Sequence, residues 1–142
     1  MYRTDAPFEH HPLTLRQTLD LALQCHSEGD LSKAGDIYQQ VLQTHPNQPE
    51  ALHLLGVVFH QLGQNERAVD LITKALAVKP HYAEARSNLG FVLHELGRLD
   101  EAVAHYHKAI DIKPDYAEAH NNLGNVFTEL EKLREAVESY SK

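Results

Sequence analysis

Tryptophan is absent from this chain of 142 residues, and cysteine and methionine occur once each. A lone Cys25 cannot close an intrachain disulfide, so packing must supply the stability, and a reducing compartment is the simplest setting. Basic residues are also scarce: Lys and Arg total 13 against 20 Asp and Glu, a formal net charge of -7. Nucleic-acid affinity rests on clustered Lys and Arg that release counterions, and no such cluster occurs, so nucleic acid is excluded as the main partner. No run approaches the ~18 consecutive apolar residues of a membrane span, and residues 1–7 lack the apolar stretch of a secretory signal. A cytoplasmic location without membrane contact is expected. Also missing are a phosphate loop, a dinucleotide fingerprint, a zinc-protease helix and a Cys-x-x-Cys pair, so neither catalysis nor a cofactor is expected.

Present in their place is a period. The stretch KPHYAEARSNLG at 79–90 recurs as KPDYAEAHNNLG at 113–124, a shift of 34. The same shift relates Gly56, Gly90 and Gly124; Pro46, Pro80 and Pro114; Gly29, Gly63 and Gly97; and Ala34, Ala68, Ala102 and Ala136. Within a unit the apolar residues are spaced as on a helix: Leu89, Leu93 and Leu96, then Leu99, Ala102, Val103, Tyr106, Ala109 and Ile110. Gly63 and Gly97 fall where a first helix ends and positive φ is favoured, and Asp100 and Glu101 suit the opening turn of a second. Pro80 and Pro114 stop that second helix. Each unit is therefore a helix-turn-helix hairpin, with boundaries at 15–48, 49–82, 83–116 and 117–142. Residues 1–14 match no repeat and form either a flexible leader or an added cap.

These residues resemble the tetratricopeptide repeat, W-x2-L-G-x2-Y followed by A-x3-F and P. The third unit supplies Leu89, Gly90, Leu93, Ala102, Tyr106 and Pro114, and the second supplies Leu55, Gly56, Phe59, Ala68, Ile72 and Pro80. Thr18, Leu52, Arg86 and His120 stand where the pattern has Trp, and Glu131 replaces the inter-helix glycine of the fourth unit, which predicts a modified turn there. The resemblance implies an all-α, right-handed superhelical solenoid of antiparallel hairpins, whose first helices line a concave groove for an extended peptide or a partner helix. Such arrays scaffold many partners, so fold alone does not name one.

Carried onto this sequence, the groove positions implied by the resemblance include His53, His60, Glu84, Ser87, Asn88, Phe91, His94, Glu95, Asn121, Asn122 and Asn125. Asn88 and Asn122 are equivalent, and their carboxamides can donate to and accept from a peptide backbone. They are similar to the start of the asparagine ladder of O-GlcNAc transferase arrays, or they are simply solvated residues of the repeat. A second row, His26, His60 and His94, steps by 34. Adjacent helix axes lie ~8–10 Å apart and zinc needs nitrogens ~2.0–2.1 Å away, so single hydrogen-bonding imidazoles, and no metal, are expected. The clamp of a chaperone-tail receptor would need cations where Glu50, Glu84 and Glu118 stand, so the expected ligand is neutral or basic. Cys25 aligns with Phe59, Leu93 and Phe127 and is expected in the core.

The fourth unit stops inside its second helix, which predicts that the chain is the N-terminal piece of a longer protein. Leu123, Phe127, Val137 and Tyr140 should then present uncovered apolar surface, and self-association through this end, as a dimer or larger, is expected. The alternative function is a substrate-guiding arm of a larger O-GlcNAc-transferase-like or other transferase enzyme.

Overall fold

The computed structural model describes residues 12–140, and the leader lies largely outside the described residues, as do Ser141 and Lys142. The described chain forms seven helices: α1 (Leu15–Ser27), α2 (Leu31–Thr44), α3 (Pro49–Gln61), α4 (Asn65–Val78), α5 (Ala83–Glu95), α6 (Leu99–Ile112) and α7 (Ala117–Tyr140). No strand occurs among the described residues.

Local chemistry sets the boundaries. Thr14 caps α1 in a reciprocal box with Gln17, Asp30 caps α2, and Gln48 caps α3 ahead of Pro49. Gly29, Gly63 and Gly97 take φ values of 85°, 82° and 78°, where a Cβ would be strained. Each is followed by the same closing bond, from the amide of Asp30 to Cys25 O (2.9 Å), Gln64 to Phe59 O (2.8 Å) and Arg98 to Leu93 O (2.9 Å). This Schellman geometry turns the chain by the same construction three times, 34 residues apart.

Within a hairpin, the second helix packs closely on a glycine of the first. A Cβ at Gly56 would lie 2.6 Å from Ile72, and one at Gly90 would lie 3.0 Å from the Tyr106 ring. Ile72 and Tyr106 are wholly buried in consequence, beside Ala68 and Ala102. The core runs through the stack as one continuous cluster, from Leu19 to Val126, and includes Cys25.

The fourth unit departs from this plan. The modified turn expected at Glu131 does not form; α7 continues through it as a single helix of 24 residues. Glutamate tolerates the left-handed conformation poorly, whereas Glu131 and Lys132 both propagate a helix well. Arg134 adds ion pairs to Glu131 and Glu138 on the same helix face. Leu133, Ala136, Val137 and Tyr140 therefore stay in line with the first half of α7 and do not fold back on it. The expectation of four uncovered apolar side chains is corrected at one position. Leu123 is buried at 8% exposure, while Phe127 (48%), Val137 (65%) and Tyr140 (92%) are exposed.

Candidate functional site: the inner face of the first helices

Helices α1, α3, α5 and α7 stand side by side, and polar bridges between neighbours step along their shared face. Arg16 grips Glu50 with two bonds of 3.0 Å, a bidentate pair that also holds the Arg16 guanidinium firmly protonated. His26 Nε2–H donates to Gln61 Oε1 at 2.6 Å, and His94 Nε2–H donates to Glu129 Oε1 at 2.6 Å. His60 lies 3.4 Å from Glu95 and donates from Nδ1 to Asn65 Oδ1 at 2.9 Å. The histidine row thus spans the junctions between hairpins, each ring reaching the next first helix 35 residues on, and does not converge on one point.

This bridging role was not part of the sequence expectation, although its signal was present. His26, His60 and His94 step by 34, and so do Gln61, Glu95 and Glu129, which fixes a constant offset of 35. Among the described residues no group of three metal-ligating side chains is assembled.

The expected groove residues separate into two layers. His53 and Ser87 are 3% and 1% exposed, so they lie beneath the surface and cannot meet a ligand directly. Leu19, in the same row, is buried too. His53 is covered by the loop ahead of the next hairpin, which sets the Tyr82 ring edge-on to it with centroids 4.9 Å apart. Asn121, the fourth member of the row, is exposed. Glu84, Phe91, Glu95 and Asn125 are exposed as well, and His60, Asn88, His94 and Asn122 are half-buried.

Under the surface, His53 joins Tyr82 to Asn88. Asn88 Nδ2–H donates to His53 Nε2 at 2.7 Å, and His53 Nδ1 lies 3.0 Å from the Tyr82 hydroxyl. Burial pushes the His53 pKa down to about 4, partly opposed by Glu84 and Glu50, so the ring is neutral near pH 7. Burial also raises Tyr82 to about 12, with Glu50 and Glu84 acting in the same direction. A neutral ring that accepts at Nε2 carries its proton on Nδ1 and donates it to Tyr82. One hairpin further on, Ser87, Tyr116 and Asn122 occupy the same places, with the shorter, buried Ser87 hydroxyl turned to the Tyr116 side chain.

Apolar and acidic groups are unevenly shared along the face. Leu23 and Phe91 are each 37% exposed, and Leu54 and Val57 are half-buried between them. Phe91 also meets His60 edge-on, with ring centroids 5.4 Å apart. Glutamates gather toward α5 and α7, as Glu84, Glu95, Glu118 and Glu129. Lys113 approaches Glu84 at 3.6 Å.

No helix among the described residues is long and apolar enough to cross a membrane. One family model, described as tetratricopeptide repeat, matches residues 26–74 and again 60–105, and a second, described as TPR repeat, matches 92–130. No functionally curated protein sequence matches the chain. Among solved structures, a mutant of the Thermobaculum terrenum O-GlcNAc transferase aligns at 32% identity with a TM-score of 0.78, covering 89% of this chain and 23% of that one. The chain thus spans under a quarter of that protein's length. The Sgt2 TPR domain of Aspergillus fumigatus aligns at 23% identity and TM-score 0.80, covering 84% of this chain and 81% of that one. The first TPR of Spaghetti (RPAP3), bound to the HSP90 peptide SRMEEVD, aligns at 22% identity and TM-score 0.77, covering 80% of this chain and 90% of that one. At these lower identities the likeness speaks for the fold. With its period of 34, its three glycine turns and these matches, the chain belongs to the tetratricopeptide repeat family, and its α-helical solenoid is of the kind that serves protein interaction.

Proposed function

We propose that this chain is a non-catalytic interaction scaffold that holds an extended peptide or partner helix against the face built by α1, α3, α5 and α7. The observation that carries this reading is the composition of that face. Exposed or half-buried apolar side chains at Leu23, Leu54, Val57 and Phe91 share that face with carboxamides at Asn88, Asn122 and Asn125. Apolar anchors and backbone-directed amides together suit a peptide. The partner differs from the acidic tail carried by the Spaghetti structure, because Glu50, Glu84 and Glu118 occupy the row where a carboxylate clamp needs cations. A peptide array probed with the chain tests the reading. Asn88→Ala with Asn122→Ala is expected to weaken the best hit about tenfold while the melting temperature stays within a few degrees, and unchanged binding would contradict it.

The same reading includes self-association through the C-terminal end. Phe127, Leu133 and Tyr140 are exposed at 48%, 55% and 92%, and a Cβ at Gly124 would meet nothing within 4 Å. Burying such side chains is worth ~1.5–3 kcal/mol each, which favours a second copy at high concentration. Light scattering should show mass rising with concentration. It should fall back to the monomer in Glu131→Gly with Lys132→Asn, which restores the turn. A monomer at all concentrations would refute the contact.

A second reading, a substrate-guiding arm of a longer transferase, is favoured by the 32% identity to the O-GlcNAc transferase structure. A catalytic domain encoded after Lys142 would support it, and further repeats followed by a stop would not.

A further inference from the structure

Resting on the reading that the inner face binds a peptide, we infer that α5 and α7 form a station dominated by hydrogen-bond acceptors that takes the Lys or Arg side chains of a basic segment, with Asn88 held in its accepting orientation by buried His53. Glu84, Asn88, Phe91 and Glu95 are four, seven and eleven residues apart along α5 and so share one helix face. Glu118, Asn122, Asn125 and Glu129 repeat the arrangement on α7, 34 residues on. Four carboxylates thus bracket three carboxamides and one aromatic ring.

His53 decides what the middle of the α5 stripe offers. An asparagine side chain ordinarily presents both donor and acceptor. Here the Asn88 amide nitrogen is directed down to His53 Nε2 at 2.7 Å, and His53 is itself fixed by Tyr82 at 3.0 Å. The Asn88 carbonyl oxygen is left as the group available to the groove. It adds to the carboxylates, so a donor without acceptor capacity is the complementary ligand. Guanidinium and ammonium groups are such donors. Phe91, at 37% exposure, offers a surface for the aliphatic stem or for the cation itself.

The hydrogen-bond donors already on this face leave room for more. Lys113 reaches Glu84 at 3.6 Å, and His60 and His94 contact Glu95 and Glu129 through one oxygen each. The carboxylates remain 51%, 44% and 53% exposed at Glu84, Glu95 and Glu129. The α1 and α3 end is different: Glu50 is already closed off by Arg16, and Leu23, Leu54 and Val57 supply an apolar floor. A basic segment with a bulky apolar residue toward α1 and α3 matches both halves.

Three acetylated nonapeptides test this with the full chain at physiological salt, sharing one leucine and carrying two arginines, two glutamines or two glutamates. The arginine peptide is expected to bind about tenfold tighter than the glutamine peptide, and the glutamate peptide more weakly than either. Glu84→Gln with Glu118→Gln should abolish that preference. Asp70→Asn with Asp111→Asn, the same change of net charge on second helices, should leave it within about twofold. His53→Phe should shrink the arginine preference several-fold, and nitrogen NMR of the unaltered chain should find the His53 proton on Nδ1. A proton on Nε2, or equal binding of the arginine and glutamine peptides on the inner face, would overturn the inference and leave the groove reading intact. Failure of every peptide to perturb inner-face resonances would overturn the groove reading itself.

Discussion

Gly56→Ala will destabilise the array by about 1–3 kcal/mol, whereas Gly124→Ala, the same change at the same place in the repeat, will stabilise it by up to about 1 kcal/mol. At Gly56 the added methyl would stand 2.6 Å from the Ile72 side chain and 3.2 Å from the Ala68 carbonyl oxygen. The side chain could yield, but the carbonyl belongs to α4 and yields only if the hairpin opens. At Gly124 nothing lies within 4 Å, because α7 runs straight and brings no second helix back. There alanine keeps its advantage over glycine as a helix former, unopposed. Gly90→Ala should fall between them, since its methyl meets the face of Tyr106 at 3.0 Å. Urea melts of the three variants check the ordering. A Gly124→Ala variant as damaged as Gly56→Ala would mean that the Leu133 to Tyr140 stretch packs back on α7 in solution.

Acid should weaken the fold from about pH 6.5 downward, and His53 should carry a large share of the loss. Its folded pKa is about 4, and the unfolded value is near 6.5. Above pH 6.5 the ring is neutral in both states and its contribution is fully present. Between the two values the unfolded chain takes up a proton that the folded chain refuses, so stability falls with falling pH. The loss levels off below about pH 4, at about 3 kcal/mol for this one group. His105 acts in the same direction. Burial first, then Arg86 and Lys108, lower it to about 4, but it is only half-buried and its share is smaller. Urea melts at pH 7 and pH 4 should show His53→Phe losing roughly 3 kcal/mol less than the unaltered chain over that interval. Equal acid sensitivity in the two would place the titration elsewhere.

Much of the solenoid was legible in the sequence because its determinants are local and repeated. A glycine followed by a helix start at 29, 63 and 97, and a proline at 46, 80 and 114, each act within a few residues. Glu131 was harder to read, since a missing glycine is compatible with either a different turn or no turn. The helix wins where three strong helix-forming residues, Glu131, Lys132 and Leu133, follow one another and no positive φ is supplied. The site was legible as a set of rows but not as depths. His53 and Asn121 occupy equivalent places, yet one is covered by the following loop and the other is open. Burial of that kind depends on a tyrosine 29 residues away, at Tyr82, which periodicity does not weigh. The histidine bridges depend likewise on the pairing of two rows, each of which looks like a solvated surface when read alone.

The measurement closest to the central claim is a chemical-shift map of the full chain titrated with the strongest array peptide. The account predicts perturbations grouped on Asn88, Phe91, Asn122 and Asn125, with His53 responding beneath them. Perturbations confined to the outer cleft lined by Pro80, Arg86, Lys108 and Ile112 would contradict it.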